Sequence, residues 1–231
     1  MSLSLLDLPP LGRGWRVHDA VTLLPTHSPG LRIGLYGGSF NPPHRGHLHV
    51  SLMALRRLRL DRVWWLVTPG NPLKELAGLP PLPERMAAAR TLARHPRIAV
   101  TGFEADIGAR YTLDTLEYLG LHAPSVRFVW LMGADNLAQF SRWRGWRRIA
   151  ELMPFAVIDR PGWTLRSTHS KAALALQEFR IDESDAGVLA DLAPPAWVFL
   201  HGPRSHLSST ALRRQRVLPQ QRSRTFSGSD R

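Results

Sequence analysis

Leu31-Arg32-Ile33-Gly34-Leu35-Tyr36-Gly37-Gly38-Ser39-Phe40-Asn41-Pro42-Pro43-His44-Arg45-Gly46-His47 reads as a strand, a glycine bend and the opening of a helix. The first six residues form an apolar run of strand length. Past His47, Leu48, Leu52 and Leu55 recur at helical spacing and predict one apolar face. Between these elements, Gly37 and Gly38 allow a tight turn and close backbone approach. Pro42 and Pro43 stiffen the start of the helix. A bend of this kind turns unpaired backbone N–H groups toward a bound anion. His44 and His47, three residues apart, project to the same side. Gly46 removes a side chain that would block a phosphate between them. The stretch therefore predicts a polyphosphate cradle built by Gly38, Ser39, Phe40, His44 and His47. It is not a Walker loop, because the Gly-Lys-Ser/Thr ending is missing, and it lacks the spacing of the dinucleotide fingerprint.

Outward from this stretch, strand and helix patterns alternate. Residues 31–36, 62–68, 97–101, 126–132, 154–159 and 196–201 read as strands, and 46–59, 83–95, 112–119, 145–152, 168–179 and 208–216 read as helices. The strands are apolar nearly throughout, which predicts burial on both faces and hence a parallel sheet covered by helices. Trp64, Trp65 and Trp130 fall in strands and are expected in the core. Right-handed crossovers give an α/β fold with a Rossmann-like, doubly wound sheet and a C-terminal helical segment. Ligands of such sheets bind at the carboxyl ends of the strands, so the loops after 31–36, 62–68 and 126–132 are the places to look. Residues 1–30, rich in Pro and Gly, read as an irregular leader, 31–216 as one domain, and 217–231 as a disordered basic tail.

Composition narrows the function. The 231 residues suffice for a real core. Cysteine is absent, which excludes disulfide scaffolds, cysteine-held zinc and thiol catalysis. No apolar run approaches the ~20 residues of a bilayer span. The start, Met1-Ser2-Leu3-Ser4-Leu5-Leu6-Asp7, lacks the basic region and long apolar core of a signal peptide, so the cytoplasm is the expected location. The formal net charge is +12, but half of the excess lies in residues 204–231, with seven Arg against one Asp. That distribution favours solvated surface and phosphate handling over nucleic-acid binding.

Further motifs stand in order along the chain: Thr68-Pro69-Gly70-Asn71-Pro72-Leu73-Lys74, Tyr111-Thr112-Leu113-Asp114-Thr115-Leu116, Gly133-Ala134-Asp135 followed by Trp143 and Trp146, and Leu207-Ser208-Ser209-Thr210-Ala211-Leu212-Arg213. Together with His44-Arg45-Gly46-His47 they resemble the (H/T)xGH nucleotidyltransferases, and within them the bacterial nicotinate-nucleotide adenylyltransferases. The resemblance spans about residues 31 to 216. One departure is Asn41, where Asp is common; both are turn-formers.

The resemblance implies adenylyl transfer from ATP to nicotinate mononucleotide. It implies that His44, His47 and Arg213 act on the phosphates, with Mg2+ bridging phosphate oxygens. It places Gly133, Asp135, Ser208, Ser209 and Thr210 with ATP, and Asn71, Lys74, Thr112, Trp143 and Arg144 with the mononucleotide. Trp143 would stack on the pyridine ring, and the backbone N–H groups of Thr112 and Arg144 would meet its carboxylate. Asp135 has two readings: an acceptor for ribose hydroxyls, or the N-cap of the following helix. Phosphopantetheine adenylyltransferases usually carry Thr where His44 stands, and cytidylyltransferases match the later motifs less well. The expected partners are small molecules, with no membrane and no nucleic acid; a homo-oligomer stays open.

Overall fold

The computed structural model describes residues 24–70, 79–159 and 162–202. Among these residues, six strands form one parallel sheet: β1 (Arg32–Gly38), β2 (Arg62–Val67), β3 (Ile98–Thr101), β4 (Arg127–Gly133), β5 (Phe155–Ile158) and β6 (Trp197–Leu200). Each lies where an apolar run predicts it. Their order is β3-β2-β1-β4-β5-β6, and every neighbouring pair is parallel. The order reverses between β1 and β4, which makes the sheet doubly wound and leaves a crevice at their carboxyl ends.

The helices are α1 (Arg45–Arg57), α2 (Leu82–Leu92), α3 (Phe103–Asp106), α4 (Thr112–His122), α5 (Ala134–Leu137), α6 (Trp146–Leu152), α7 (Thr164–Thr168) and α8 (Lys171–Ala175). Short 3-10 segments cover Phe140–Arg142, Gln177–Phe179 and Glu183–Asp191. The sheet divides the core in two, one half on each of its faces. Ile33, Leu35, Trp64, Leu66, Phe128 and Trp130 point into one half. Val63, Trp65, Val67, Val129 and Leu131 point into the other. Trp64 and Trp65 are neighbours in sequence and both are fully buried. Only a strand covered on both faces can do this, because successive side chains alternate.

Two features fix how β1 sits against β4. At their start, Arg32 and Arg127 are Cα partners, and both donate to the carboxylate of Asp191. Near their end, a Cβ on Gly37 would come within 2.8 Å of the Trp130 ring. The missing side chain lets that indole lie against β1.

Several local details depart from the sequence reading. Gly37 and Gly38 do not make the turn; they are the last rungs of β1, paired with Leu66 and Val67. The left-handed residue is Phe40, at φ 47°. Leu52 is 40% exposed, because the buried stripe of α1 runs through His47, Val50, Ser51, Ala54 and Leu55. At about 100° per residue Leu52 falls well off that stripe. The predicted helix 168–179 is instead α7, α8 and a 3-10 turn. Ser170 is extended and accepts from the Ala173 N–H at 3.3 Å, which starts α8 afresh. The helices at 103–106 and 134–137 are four residues each, too short to show periodicity. The segments 1–23, 71–78, 160–161 and 203–231 lie outside the described residues, and with them the predicted helix 208–216 and tail 217–231. Before β1, Leu24 packs against the core and the His27 ring meets Trp64 edge-on.

A buried carboxyl joins α3 to α4. Glu104 is 6% exposed and accepts a hydrogen bond from the Thr115 hydroxyl at 2.7 Å. Burial pushes its pKa above the usual carboxylate range, against the lowering effect of that hydrogen bond. Between the unfolded and the raised folded pKa, the native state holds more protons than the unfolded chain. Stability from this group is then lost as pH rises through the folded pKa. Glu104→Gln removes the loss. Melting curves from about pH 4 to about pH 8 should show the variant gaining on the wild type as pH increases. A pH-independent difference would mean that burial does not raise the Glu104 pKa.

Candidate active site

The cradle predicted from sequence sits at the crevice between β1 and β4. After Gly38 the chain turns at Ser39–Pro43 and enters α1 at His44, the N-cap, which is extended (φ −148°, ψ 164°). The side chain of His47 folds back, and its Nδ1 accepts the His44 backbone N–H at 3.0 Å. The two imidazoles lie 3.8 Å apart, centre to centre, with 6% and 8% exposure. An Nδ1 that accepts has no proton, so the neutral ring carries it on Nε2 as a donor. The start of a 13-residue helix adds its N–H groups and the positive end of its dipole. This combination suits an anion with several oxygens.

Phe40 holds the loop from beneath. Its ring is stacked on Trp65 at 4.8 Å and lies 4.8 Å from His47. At 1% exposure, its side chain belongs to the core, so only its backbone can serve a ligand. A left-handed phenylalanine costs about 1–3 kcal/mol, which the aromatic packing offsets. Ser51, fully buried, ties the same turn to β2. It accepts from the Trp65 indole N–H at 2.7 Å and donates to the His47 carbonyl at 2.9 Å.

Across the crevice, Gly133 ends β4 and is the N-cap of α5. Asp135 lies in the first turn of α5, so the capping role read for it from sequence falls to Gly133 instead.

A second group forms beside β4. Thr112 is the first residue of α4, after the N-cap Tyr111. Asp114 accepts the Tyr111 and Arg110 N–H groups, each at 3.0 Å. Trp143 follows the 3-10 turn and is half-buried, edge-on to Phe140 at 5.4 Å and to Trp130 at 6.5 Å. The Arg144 guanidinium lies over the Tyr111 ring at 4.8 Å. Gly145, at φ 64°, is so close to Leu113 that a Cβ would come within 2.6 Å of it. These contacts bring Thr112, Trp143 and Arg144 together although some 30 residues of sequence separate them. The Arg144 side chain is exposed. Asn71, Lys74, Ser208, Ser209, Thr210 and Arg213 lie outside the described residues.

One residue was missed. Arg85 is 3% exposed and donates to the carbonyls of Ser39, Thr68, Pro69 and Pro80. Burial lowers its pKa from the usual arginine value, though an arginine remains charged at neutral pH. Its sequence signal is its place, three after Leu82 and four before Ala89, on the inward stripe of α2.

A Rossmann-like sheet with two imidazoles at a helix start defines a nucleotide-handling α/β protein. The cytidylyltransferase-like family matches residues 35–215, and the chain belongs to that family. It is 66% identical over 183 residues to a protein of Methylorubrum extorquens named probable nicotinate-nucleotide adenylyltransferase, covering 79% of this chain and 99% of that one. The protein of that name from Agrobacterium fabrum is 59% identical over 181 residues, covering 78% and 97%. Among solved structures, nicotinic acid mononucleotide adenylyltransferase of Plasmodium falciparum complexed with NaAD has the same fold. The TM-score is 0.61 at 16% identity, over 80% of this chain and 83% of that one.

Ser51→Ala leaves the Trp65 N–H buried without its acceptor. The expected loss is about 1–3 kcal/mol in urea unfolding. Unchanged stability would show that the Ser51 link does not hold the turn.

Proposed function

We propose that this nucleotidyltransferase moves the adenylyl group of ATP to nicotinate mononucleotide, releasing pyrophosphate and forming deamido-NAD in NAD biosynthesis. The observation that carries this reading is the imidazole pair at the start of α1, at the crevice between β1 and β4. The names of relatives at 55–66% identity support it.

An oxygen of the mononucleotide 5′-phosphate attacks the α-phosphorus of ATP. The bond from that phosphorus to the bridging oxygen breaks, and pyrophosphate leaves with the electron pair. No strong base is required, because a phosphate monoester with a second pKa near ~6 is largely dianionic at neutral pH. The work is alignment of two polyanions and stabilisation of charge as it moves to the leaving group. In this reading His47 donates from Nε2 to a phosphate oxygen, and His44 stands beside it. Backbone N–H groups at the start of α1 add fixed donors. Gly38, Ser39 and the Phe40 backbone shape the loop, and Gly133 and Asp135 face the adenosine side.

Mg2+ bound with the nucleotide would supply charge neutralisation at the phosphates. In this reading the ion would be held by substrate oxygens and water, and no protein ligand is assigned to it. Trp143 offers its half-exposed face to the pyridine ring, and the N–H groups of Thr112 and Arg144 meet the carboxylate. Asn71 and Lys74 would bind the mononucleotide, and Ser208, Ser209, Thr210 and Arg213 the ATP phosphates. No helix among the described residues is long and apolar enough to cross a membrane, and the cytoplasm is the proposed location.

Pyrophosphate release should require ATP, Mg2+ and nicotinate mononucleotide, and proceed less well with nicotinamide mononucleotide. Release only with phosphopantetheine, or with CTP and an alcohol phosphate, would overturn the assignment. His47→Ala should lower kcat by about 10²–10³-fold, the usual cost of one oriented donor, with little change in KM for the mononucleotide. Unchanged kcat with a raised KM would remove His47 from the transition state.

A further inference from the structure

Arg85 stands at the meeting point of three segments. Its Nε donates to the Pro80 carbonyl at 2.8 Å. One terminal nitrogen donates to Ser39 at 3.0 Å and to Thr68 at 2.7 Å. The other donates to Pro69 at 3.2 Å. Four of the five N–H groups of the guanidinium thus end on main-chain carbonyls. Ser39 lies in the phosphate loop after β1. Thr68 and Pro69 follow β2, and Pro80 precedes α2. No ion pair among the described residues includes Arg85.

This is a costly way to fill the inward face of a helix. A buried charge needs compensation, and an apolar side chain of similar volume is often as stable or more so. The neighbouring Leu82, Met86 and Ala89 show that the stripe is otherwise apolar. What the guanidinium adds is a planar fork of fixed geometry, which neither an aliphatic chain nor an ammonium can supply. The fork reaches across just past the end of the β1–β2 ladder, whose last rung is Gly38 with Val67 and beyond which the Thr68 N–H donates to the Gly38 carbonyl at 3.0 Å.

We propose that Arg85 is a positioning residue for adenylyl transfer: through the Ser39, Thr68 and Pro69 carbonyls it sets the spacing between the loop that leads into His44 and His47 and the turn after β2. It acts through the backbone and not on substrate. This inference rests on the reading of the site as an adenylyl-transfer centre. In such a reaction a displacement of ~1 Å can cost about 10²-fold in rate, so rigid spacing between the two turns matters more than binding strength.

The test compares the full-length wild type, Arg85→Lys and Arg85→Met. Lysine keeps the charge and loses the fork; methionine loses both. Circular dichroism and urea unfolding report folding. Pyrophosphate release gives kcat and KM for each substrate, and calorimetry with a non-hydrolysable ATP analogue gives affinity without turnover. Both variants are expected to fold, to bind the analogue within about threefold of the wild type, and to lose about 10²-fold in kcat. Wild-type kcat in Arg85→Lys would assign the effect to charge and overturn the fork. Wild-type kcat in both variants, a loss confined to KM or analogue affinity, or failure of both variants to fold would overturn the positioning role. If the wild type prefers another acceptor, the substrate assignment fails and the same comparison is read with that acceptor. A wild type inactive with every acceptor rejects both proposals.

Discussion

A parallel sheet that winds in both directions must part its crossovers where the order reverses. Here that point lies between β1 and β4. The helices leaving the two strands cover opposite faces, and neither can cover the gap above the strand ends. The rest of the site answers to that gap. β1 delivers the Ser39–Pro43 turn and the start of α1 to one side, and β4 delivers Gly133 and α5 to the other.

The gap is polar at its mouth and aromatic just below. Phe40, Trp65 and Tyr36 surround the ring of His47. Such walls fix an imidazole more firmly than solvent would, and the hydrogen bond at Nδ1 fixes which nitrogen donates. Among the described residues, positive character at the crevice comes from helix N–H groups, the Nε2 donor of His47 and the guanidinium of Arg85 under the loop. Donors held in this way need little reorganisation as charge develops beside them.

Much of this was legible in the chain. Six apolar runs separated by helical patterns fixed the strand count, and the Gly-Gly-Ser-Phe-Asn-Pro-Pro-His stretch marked the turn into α1 where the two imidazoles meet. The failures have physical reasons. Glycine pairs suggest a turn, yet Gly37 is needed for the close packing of Trp130, and Phe40 takes the strained angle because its ring is anchored on Trp65. Leu52 counted as apolar, yet the stripe is set by the sheet below and not by leucine spacing. The role of Arg85 is not legible in the sequence because its partners are carbonyls from distant segments, which carry no residue-type signal. The closeness of Arg144 to Tyr111 is likewise a product of the crossover.

The two arginines at the base of β1 and β4 have a consequence for the strand pairing itself. Opposed like charges would push the first rung apart, and a single carboxylate on Asp191 turns that repulsion into attraction. At the other end, Trp130 fits only beside a residue without a side chain. A slip of one residue would separate the arginines from their shared anion and carry Trp130 to the opposite face. Alignment is therefore encoded twice, by charge at the bottom and by shape at the top.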